Sequence, residues 1–340
     1  MNIAILGAGA WGTAMAISLA ARHQVLLWGR ETEQVLEAEK TRVNNMGLPG
    51  VKLPDTLHLT AHFEQAANHG AGSAGLVIVA TSVAGLRPVL SQLRDYPVRN
   101  VIWLCKGFER DTGLLPNQVA KEVINGKDIH VGVLSGPSFA QEVAAGLPCA
   151  LTIASQSEVL RGIVVGAMNA GMMRIYSSDD VVGVEVGGAL KNILAVATGI
   201  ADGMSMGLNA RAALMTRGLA EITRMGIALG GRLETFMGLT GVGDLVLTCT
   251  GDLSRNRRVG LGLAKGKTLK EVVAELGHVA EGVNCAHTVR ELAQKMGVEM
   301  PLTFAVASVL FDGVSIKDAV AQLMSRHVRD ENDVLYRQTR

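Results

Sequence analysis

A glycine-rich segment near the start of the chain has the spacing that accommodates a dinucleotide. Gly7, Gly9 and Gly12 form a GxGxxG pattern directly after a short apolar run, Ile3–Leu6. In such a pattern the first glycine permits a tight turn, the second lets the backbone approach a pyrophosphate, and the third lets a helix pack closely on a strand. The helix would present unpaired N–H groups to the phosphates. The pattern predicts dinucleotide binding, and the alternative is that the glycines serve packing alone.

Residues beside this segment bear on which dinucleotide is used. Trp11 lies inside the glycine pattern and either covers the cofactor or packs against the protein. After the second apolar run, Val25–Trp28, an acidic residue would bind the ribose 2′-hydroxyl of NAD. The chain instead has Arg30 followed by Glu31. An arginine there can pair with the 2′-phosphate of NADP and stack on the adenine, whereas Glu31 could oppose that pairing. The segment favours NADP and leaves NAD open.

Two lysines have surroundings that suit proton transfer or anion binding. Lys106 directly follows the apolar run Val101–Cys105, and ligands of parallel sheets bind beyond the carboxyl ends of the strands. Lys191 lies in an otherwise apolar helical pattern, so its amine must either reach water past the core or serve a cavity. Burial and positive neighbours would favour the uncharged amine, a competent general base. Alcohol oxidation needs such a base because hydride leaves carbon only as the hydroxyl proton departs.

Polar residues after a further apolar run, His130–Ser135, could contact the same ligand. Gly136 would allow the backbone to approach it, and Ser138 would either touch substrate or cap the following helix. Further along, Asp244 lies among glycines and could bind a substrate hydroxyl or position Lys191.

The segment Ser254, Arg255 and Asn256 offers hydroxyl, guanidinium and amide donors, which together suit a phosphate. A basic run is more often a solvated face, and that alternative stays open. Glu281 opens a later helical pattern, where it either contacts the cofactor or favours the N-terminus of its helix.

The order of these runs predicts the elements that position the polar residues. In the first half, short apolar runs alternate with helical patterns, which indicates a parallel sheet covered on both faces. From about residue 184 helical patterns dominate. We therefore expect an α/β protein: an N-terminal Rossmann-type parallel-sheet domain, residues 1–182, followed by an all-helical C-terminal domain, residues 183–340. Strands are predicted at Ile3–Leu6, Val25–Trp28, Leu76–Thr81, Val101–Lys106 and His130–Ser135, and helices at Ala10–Arg22, Leu114–Ile124, Glu185–Ile200, Ala210–Gly230, Thr268–Leu276, Gly282–Lys295 and Leu302–Phe311.

Composition narrows the class of protein. At 340 residues two domains are expected, and 32 basic residues against 31 acidic ones argue against broad capture of nucleic acid or membrane. The four cysteines form no CxxC pair and suit a reducing cytoplasm. No His/Cys cluster has metal-ligand spacing, so we expect no metal. The charged tail from Arg326 is expected to be solvated.

The uncharged run Ile3–Ala21 superficially resembles a signal peptide or a membrane span. No Lys or Arg precedes the run, and its glycines have a better explanation in the dinucleotide pattern. We therefore expect no targeting segment there, and no other run comes close to spanning length.

Six blocks of the chain, taken together, closely resemble the soluble bacterial NAD(P)-dependent glycerol-3-phosphate dehydrogenases. They occur in the family's order over residues 1 to about 300: GAGAWGTA, LCKGFE, LSGPSFAQEVAAGLP, GGALKN, LTGVGDLVLTCTGDLSRNRRVG and VAEG. The sequence departs from the family at Ala10, where many relatives carry Ser, which removes a hydroxyl contact to the pyrophosphate. It has Ser138 where Thr is also common, which keeps the hydroxyl.

The resemblance implies a Rossmann domain, a helical domain and an active site in the cleft between them. It implies reversible hydride transfer between NAD(P)H and dihydroxyacetone phosphate, giving sn-glycerol 3-phosphate for phospholipid synthesis, with NADP or NAD as cofactor. By resemblance, Lys191 is the proton acceptor. The implied substrate contacts are Lys106, Gly136, Ser138, Lys191, Asp244, Ser254, Arg255 and Asn256, and the implied cofactor contacts are Gly7, Gly9, Ala10, Trp11, Gly12, Arg30, Lys106, Ala140, Arg255, Val279 and Glu281.

Two other functions remain as alternatives. One is a 3-hydroxyacid or 6-phosphogluconate dehydrogenase with the same domain plan, whose substrate carries a carboxylate. The other is a noncatalytic nicotinamide-sensing regulator, which would have no need of Lys191 together with the Ser254–Asn256 segment. The expected partner is a phosphorylated triose, without nucleic acid or stable membrane association. The sequence is compatible with a homodimer and does not determine the oligomeric state.

Overall fold

The computed structural model describes residues 1–277 and 280–326 of the chain. The chain divides into two compact units. The first combines Met1–Lys106 with Pro116–Val181, and the second combines Gly107–Leu115 with Val182–Arg340. The loop Gly107–Leu115 groups with the second unit, although the expected domain boundary at residue 182 assigns it to the first domain.

The first unit contains a sheet whose strands lie in the order β3-β2-β1-β4-β5-β6-β7-β8. β4 and β5 are buried at every residue, which is typical of strands covered by helices on both faces. The strands are β1 Asn2–Leu6, β2 Gln24–Trp28, β3 His58–Thr60, β4 Leu76–Val79, β5 Asn100–Trp103, β6 His130–Ser135, β7 Cys149–Ala154 and β8 Met173–Ser178.

Helices follow most of these strands and bury their apolar faces in the core of the first unit. Met15 of α1 and Leu160 of α7, for example, are fully buried. The helices are α1 Ala10–Ala20, α2 Thr32–Thr41, α3 Phe63–His69, α4 Val83–Leu93, α5 Pro116–Val123, α6 Ala140–Ala144 and α7 Glu158–Met168.

The predicted sheet is confirmed with two corrections. β7 runs antiparallel to β6, with Leu134 opposite Ile153, whereas the other pairings are parallel. The sequence reading also missed β3, β7 and β8. β3 has three residues, and β8 carries exposed residues such as Arg174 and Tyr176. A period-2 apolar signal is weak in such a segment.

The described part of the second unit is helical. Its core is built around α8, whose Val186, Leu190 and Ile193 are almost fully buried. The helices are α8 Val181–Gly203, α9 Gly207–Ala228, α10 Leu233–Phe236, α11 Asp244–Thr250, α12 Arg255–Ala264, α13 Leu269–Leu276, α14 Glu281–Met296, α15 Pro301–Phe311 and α16 Ile316–Met324, with a π-helical turn at Leu239–Gly243. The five helices predicted here are confirmed, while α10, α11, α12, α16 and the π-helical turn were not predicted.

The apolarity of α8 corrects a further expectation. Among the described residues, Val181–Gly203 is the one helix long and apolar enough to cross a membrane by length and composition. The sequence reading had expected that no run other than Ile3–Ala21 would be close to the length needed to span a membrane. However, 89% of its most apolar window is buried inside the protein. Its apolar side chains are therefore used as the core of the second unit.

Candidate functional site

The glycine pattern forms a turn from β1 into α1, and two of its glycines are required by the fold itself. Gly7 has φ +128°, and a Cβ there would lie 2.6 Å from the carbonyl oxygen of Ala80. A Cβ on Gly12 would lie 2.0 Å from the carbonyl oxygen of Gly7. A Cβ on Gly9 would meet nothing within 4 Å. The open space at Gly9, just before the first turn of α1, fits a pyrophosphate on the helix N-terminus.

Asn44, which the sequence reading missed, stabilises this turn through side-chain hydrogen bonds. Its side chain is 5% exposed, and its Nδ2 donates to the carbonyl of Ala8 at 2.7 Å and to the hydroxyl of Thr13 at 2.8 Å. Its Oδ1 accepts the N–H of Gly47 at 3.0 Å. These bonds fix the backbone at the second position of the glycine pattern. An asparagine 36 residues downstream gives no local signal of that role.

Three further residues expected to contact the cofactor lie near the turn or after the end of β2. Ala10 is the first residue of α1, and the half-buried Trp11 packs against the core of the first unit. The Arg30 side chain is 83% exposed, and its Nε lies 2.9 Å from the carboxylate of Glu31. An exposed ion pair of this kind contributes little stability, so an anionic ligand could replace Glu31 as the partner of Arg30.

Lys106 and Ser138 converge on one backbone carbonyl in the first unit. The Lys106 amine donates to the carbonyl oxygen of Gly136 at 3.2 Å, and the Ser138 hydroxyl donates to the same oxygen at 3.1 Å. Gly136 has φ +142°, and a Cβ there would lie 3.0 Å from the carbonyl oxygen of Ala150. The structure contradicts the alternative that Ser138 is an N-cap, because α6 begins at Ala140 after Phe139.

The second unit holds a buried cluster of a lysine, a carboxylate and a hydroxyl. Lys191 is 6% exposed and Asp244 is 1% exposed, and the amine donates to the Asp244 carboxylate and, at 2.8 Å, to the hydroxyl of Thr248. The Thr248 hydroxyl in turn donates to the backbone carbonyl of Asp244 at 2.6 Å. The sequence reading expected burial and positive neighbours to favour the uncharged amine. Lys191 is buried as expected, but the charged neighbour that these bonds show is a carboxylate, which stabilises the ammonium form.

The local sequence explains why these groups meet. Gly187 and Lys191 lie one turn apart on the same face of α8. A Cβ on Gly187 would lie 2.5 Å from the carbonyl oxygen of Thr240, so the glycine lets the π-helical turn approach α8. Asp244 follows that turn directly and begins α11, and Thr248 lies one turn later on the same face. Threonine at this spacing from Asp244 is the signal that the sequence reading overlooked.

The predicted phosphate segment lies at the N-terminus of α12. Ser254 is the N-cap and its hydroxyl accepts the N–H of Arg257 at 3.2 Å. Arg255 is the exposed first residue of the helix. Asn256 is buried; its Nδ2 donates to the side chain of Asn192 at 2.9 Å, and its Oδ1 accepts the N–H of Gly282 at 2.9 Å. Asn256 therefore links the N-termini of two helices, and Asn192 is a second residue that the sequence reading did not single out as a candidate.

The basic run around Arg255 is only partly a solvated face. Arg255 and Arg258 are exposed, whereas Arg257 is 9% exposed. The guanidinium of Arg257 lies 2.8 Å from Asp202 of α8 and 2.9 Å from Asp252. This ion pair with α8 fixes the direction of the first turn of α12, which carries Ser254 and Arg255.

Glu281 is the first residue of α14 and is half-buried. Its neighbour Gly282 packs tightly, since a Cβ there would lie 2.5 Å from the carbonyl oxygen of Asn192. Val279, the remaining expected cofactor contact, lies outside the described residues. Among the described residues, the structure thus links Lys106 and Ser138 to Gly136 in the first unit, and Lys191 to Asp244 in the second.

Comparison with known proteins places these groups in a family. Residues 2–160 match the family model described as "NAD-dependent glycerol-3-phosphate dehydrogenase N-terminus", and residues 180–321 match the corresponding C-terminus model. A protein of Herminiimonas arsenicoxydans named glycerol-3-phosphate dehydrogenase [NAD(P)+] is 63% identical over 331 residues, covering 97% of this chain and 99% of that protein. A protein of Paucimonas lemoignei with the same name is 64% identical over 332 residues, covering 98% and 99%.

Solved structures agree with the sequence relatives. A crystal structure of glycerol-3-phosphate dehydrogenase from Coxiella burnetii superposes with a TM-score of 0.89 at 39% identity, covering 95% of this chain and 98% of that chain. The glycerol-3-phosphate dehydrogenase of yeast, Saccharomyces cerevisiae, superposes with a TM-score of 0.80 at 26% identity, covering 96% and 99%.

Proposed function

Because this chain belongs to the NAD-dependent glycerol-3-phosphate dehydrogenase family, we propose that it catalyses reversible hydride transfer between NAD(P)H and dihydroxyacetone phosphate, giving sn-glycerol 3-phosphate. The observation that carries the chemistry is the buried cluster of Lys191, Asp244 and Thr248. A lysine held in this way can move a proton on and off a substrate oxygen, which ketone reduction and alcohol oxidation both require.

The first unit supplies the dinucleotide site. The glycine turn and the N-terminus of α1 bind the pyrophosphate, with Ala10 and Trp11 beside it, Ala140 nearby in the same unit, and Arg30 at the ribose end. The nicotinamide, when bound, supplies or accepts the hydride. NADP and NAD both remain substrates in this proposal, since Arg30 favours a 2′-phosphate and Glu31 opposes it.

The second unit supplies the proton. During ketone reduction the Lys191 ammonium donates its proton to the carbonyl oxygen as that oxygen gains negative charge. During alcohol oxidation the amine takes the proton back. Asp244 stabilises the ammonium that is present before ketone reduction and is formed by alcohol oxidation, and Thr248 fixes the direction of the amine by accepting one of its N–H groups.

The phosphate of the substrate is bound by side-chain donors in this proposal. Arg255 and Ser254 at the N-terminus of α12 bind its oxygens, and the dipole of α12 adds to the attraction. Lys106, Gly136 and Ser138 form the remaining contacts. We propose residues 1–182 as the dinucleotide-binding domain and residues 183–340 as the substrate-binding domain.

We further propose a cytoplasmic enzyme whose product enters glycerophospholipid synthesis, acting without nucleic acid or stable membrane association. The four cysteines are free thiols, which suits a reducing compartment. A homodimer is compatible with this function, because the proposed chemistry uses residues of one chain.

An assay of NADPH and NADH oxidation tests the proposed reaction. Dihydroxyacetone phosphate should be reduced rapidly, while 3-oxoacids and 6-phosphogluconate, offered in the appropriate direction, should be turned over negligibly. Preferred turnover of a carboxylate substrate would replace the proposal with the hydroxyacid alternative, and cofactor binding without turnover would replace it with the regulator. The Arg30→Ala variant should lose preference for NADPH over NADH; an unchanged preference would remove Arg30 from the 2′-phosphate site.

A further inference from the structure

A buried carboxylate near the end of α8 binds two arginines from other helices. The Asp202 side chain is 9% exposed, and each of its oxygens receives one guanidinium. Nε and Nη2 of Arg211, on α9, lie 2.8 and 2.7 Å from Oδ1. Nε and Nη2 of Arg257, on α12, lie 2.9 and 2.8 Å from Oδ2. One acid thus joins α8 to two helices by charge-assisted hydrogen bonds, which are the stronger kind, and no step of the proposed reaction uses it.

The backbones of α8 and α12 are in contact beside this ion pair. A Cβ on Gly199 would lie 2.1 Å from the carbonyl oxygen of Arg257, and a Cβ on Gly260 would lie 2.1 Å from the carbonyl oxygen of Val196. Because no side chain separates the two helices there, backbone contact sets the distance between them. Backbone contact alone does not oppose sliding of α12 along α8. The forked contact of Arg257 with Asp202 does oppose it, since a guanidinium binds a carboxylate in a fixed direction.

Arg257 also stabilises the segment that precedes it. Its backbone N–H donates to the hydroxyl of Ser254 at 3.2 Å, and its Nη1 donates to the carboxylate of Asp252 at 2.9 Å. The Asp252 side chain is 95% exposed, and an ion pair with an exposed partner contributes little. Asp202 is therefore the buried partner that fixes the Arg257 side chain. Arg255, the proposed phosphate ligand, lies between Ser254 and Arg257 in the chain and begins α12.

Lys191 lies on the same helix as Asp202. The two residues are eleven positions apart in α8, which is roughly 16 Å along the helix axis. The helix that carries the proposed proton donor thus also carries the residue that anchors α12. We propose that Asp202 is a positioning residue: through Arg257 it holds the donors of Ser254 and Arg255 at a fixed distance from the Lys191 amine. This selects substrates whose phosphate and ketone oxygen are separated by that distance, and it rests on the proposed role of Ser254 and Arg255 in binding phosphate.

A comparison of dihydroxyacetone phosphate with unphosphorylated dihydroxyacetone tests this role. In Asp202→Asn the side chain keeps its shape, but one oxygen becomes an amide group that cannot accept from a guanidinium. kcat/KM for the phosphorylated substrate should fall on the order of 10-fold to 100-fold, because a displacement of about 1 Å can reduce rates by the larger factor. kcat/KM for dihydroxyacetone should stay near that of wild type. An equal loss for both substrates would show a merely structural role and would overturn the proposal.

Two matched lysine variants remain informative if Asp202→Asn does not fold. Arg257→Lys and Arg211→Lys each keep a positive charge beside Asp202, and each loses the two-nitrogen contact with it. Arg257→Lys should lower kcat/KM selectively for dihydroxyacetone phosphate, by less than Asp202→Asn does. Arg211→Lys changes α9, which carries no residue of the proposed site, and should keep wild-type kinetics with both substrates. Wild-type selectivity in Arg257→Lys, or equal selective losses in the two variants, would contradict the proposal.

An Arg255→Ala background separates this inference from the proposed function. If Arg255→Ala alone lowers kcat/KM no more for dihydroxyacetone phosphate than for dihydroxyacetone, the proposed phosphate site is wrong and the inference is lost with it. If that loss is selective, adding Asp202→Asn should have little further effect, because the guanidinium that Asp202 positions is already absent. Full additivity of the two selective losses, or a selective loss in Arg255→Ala without one in Asp202→Asn, would overturn the positioning role and leave the proposed reaction standing.

Discussion

The two units contribute to the proposed reaction by different physical means. In the first unit the backbone forms the proposed ligand site: Gly7, Gly9 and Gly12 shape a turn, and a Cβ would clash with the protein at Gly7 and Gly12 but not at Gly9. In the second unit buried side chains form it: the Lys191 amine meets a carboxylate and a hydroxyl in the protein interior. Binding of an invariant pyrophosphate needs only N–H groups and space, whereas moving a proton needs a titratable group held in place.

This difference determines which substitutions should impair the proposed function of each unit. The backbone site is damaged when atoms are added, because there is no room for them or because they occupy the ligand's space. The side-chain site is damaged when charge or hydrogen-bonding atoms are removed. The variants below test that contrast, beginning with the largest expected effect.

Removal of the Lys191 amine should have the largest effect. The Lys191→Met variant keeps the length of the side chain and loses the proton donor, so kcat should fall by ~100-fold to 10⁴-fold, the usual contribution of a general acid or base. Steady-state kinetics give kcat, and fluorescence titration gives the Kd for NADPH, which should be unchanged. A kcat near that of wild type would remove Lys191 from the mechanism.

Removal of the Arg255 guanidinium should weaken binding of the phosphorylated substrate by roughly 2–4 kcal/mol, because the charge-assisted hydrogen bonds to its phosphate are lost. The ratio kcat/KM for dihydroxyacetone phosphate in Arg255→Ala measures that loss. Arg258→Ala is the matched control, since Arg258 is also exposed on α12 but donates to the carbonyl of Asp252. An equal loss for unphosphorylated dihydroxyacetone would show that Arg255 does not bind the phosphate.

The contrast also explains how much of the molecule the sequence could predict. The glycine turn is encoded within six residues, and the confirmed strands β1, β2 and β6 carry continuous apolar runs. Lys191 and Asp244 are 53 residues apart, and Lys191 and Thr248 are 57 apart. No spacing rule joins Lys191 to either residue. The sequence offered Asp244 only as a residue that could bind a substrate hydroxyl or position Lys191, and Thr248, four residues after Asp244, was overlooked. Asn44 was missed for the same reason.

A second buried acid in the helical unit should make stability depend on pH. Burial raises the pKa of Glu221 to about 7 from 4.5, although its carboxyl accepts hydrogen bonds from the N–H of Leu302 and from Thr303 and lies near Arg224. The unfolded chain ionises this group above 4.5 while the folded protein keeps its proton. The free energy of unfolding should therefore fall as pH rises from about 4.5 to about 7, by at most roughly 3 kcal/mol.

Urea unfolding across that range of pH measures the effect. The Glu221→Gln variant should lose this part of the pH dependence, and Glu234→Gln, an exposed change in the same unit, should keep it. Wild-type stability that rises between pH 4.5 and 7 relative to Glu221→Gln would mean that the folded protein holds Glu221 as a stabilised carboxylate.

The smallest expected effects are at the glycine turn. There, substitution of Gly12 should lower stability, whereas substitution of Gly9 should weaken cofactor binding. In Gly12→Ala the new Cβ would meet the carbonyl oxygen of Gly7 at 2.0 Å and the side chain of Ala80 at 2.9 Å. Relief of that overlap should lower stability by about 1–3 kcal/mol even without ligand, visible as a lower Tm. In Gly9→Ala the Cβ meets no protein atom within 4 Å, and Gly9 has φ −73°, which alanine adopts freely.

Gly9→Ala should therefore keep the Tm of wild type and bind NADPH more weakly, because its methyl group occupies the space that the pyrophosphate needs. The substitution leaves the proposed proton donor Lys191 unchanged, so kcat at saturating NADPH should change less than the KM for NADPH. If Gly9→Ala binds NADPH as tightly as wild type, the second glycine is not a point of close approach and the first unit does not recognise the cofactor through its backbone at that position. A lower Tm without cofactor would equally mean that Gly9, like Gly12, serves the packing of α1.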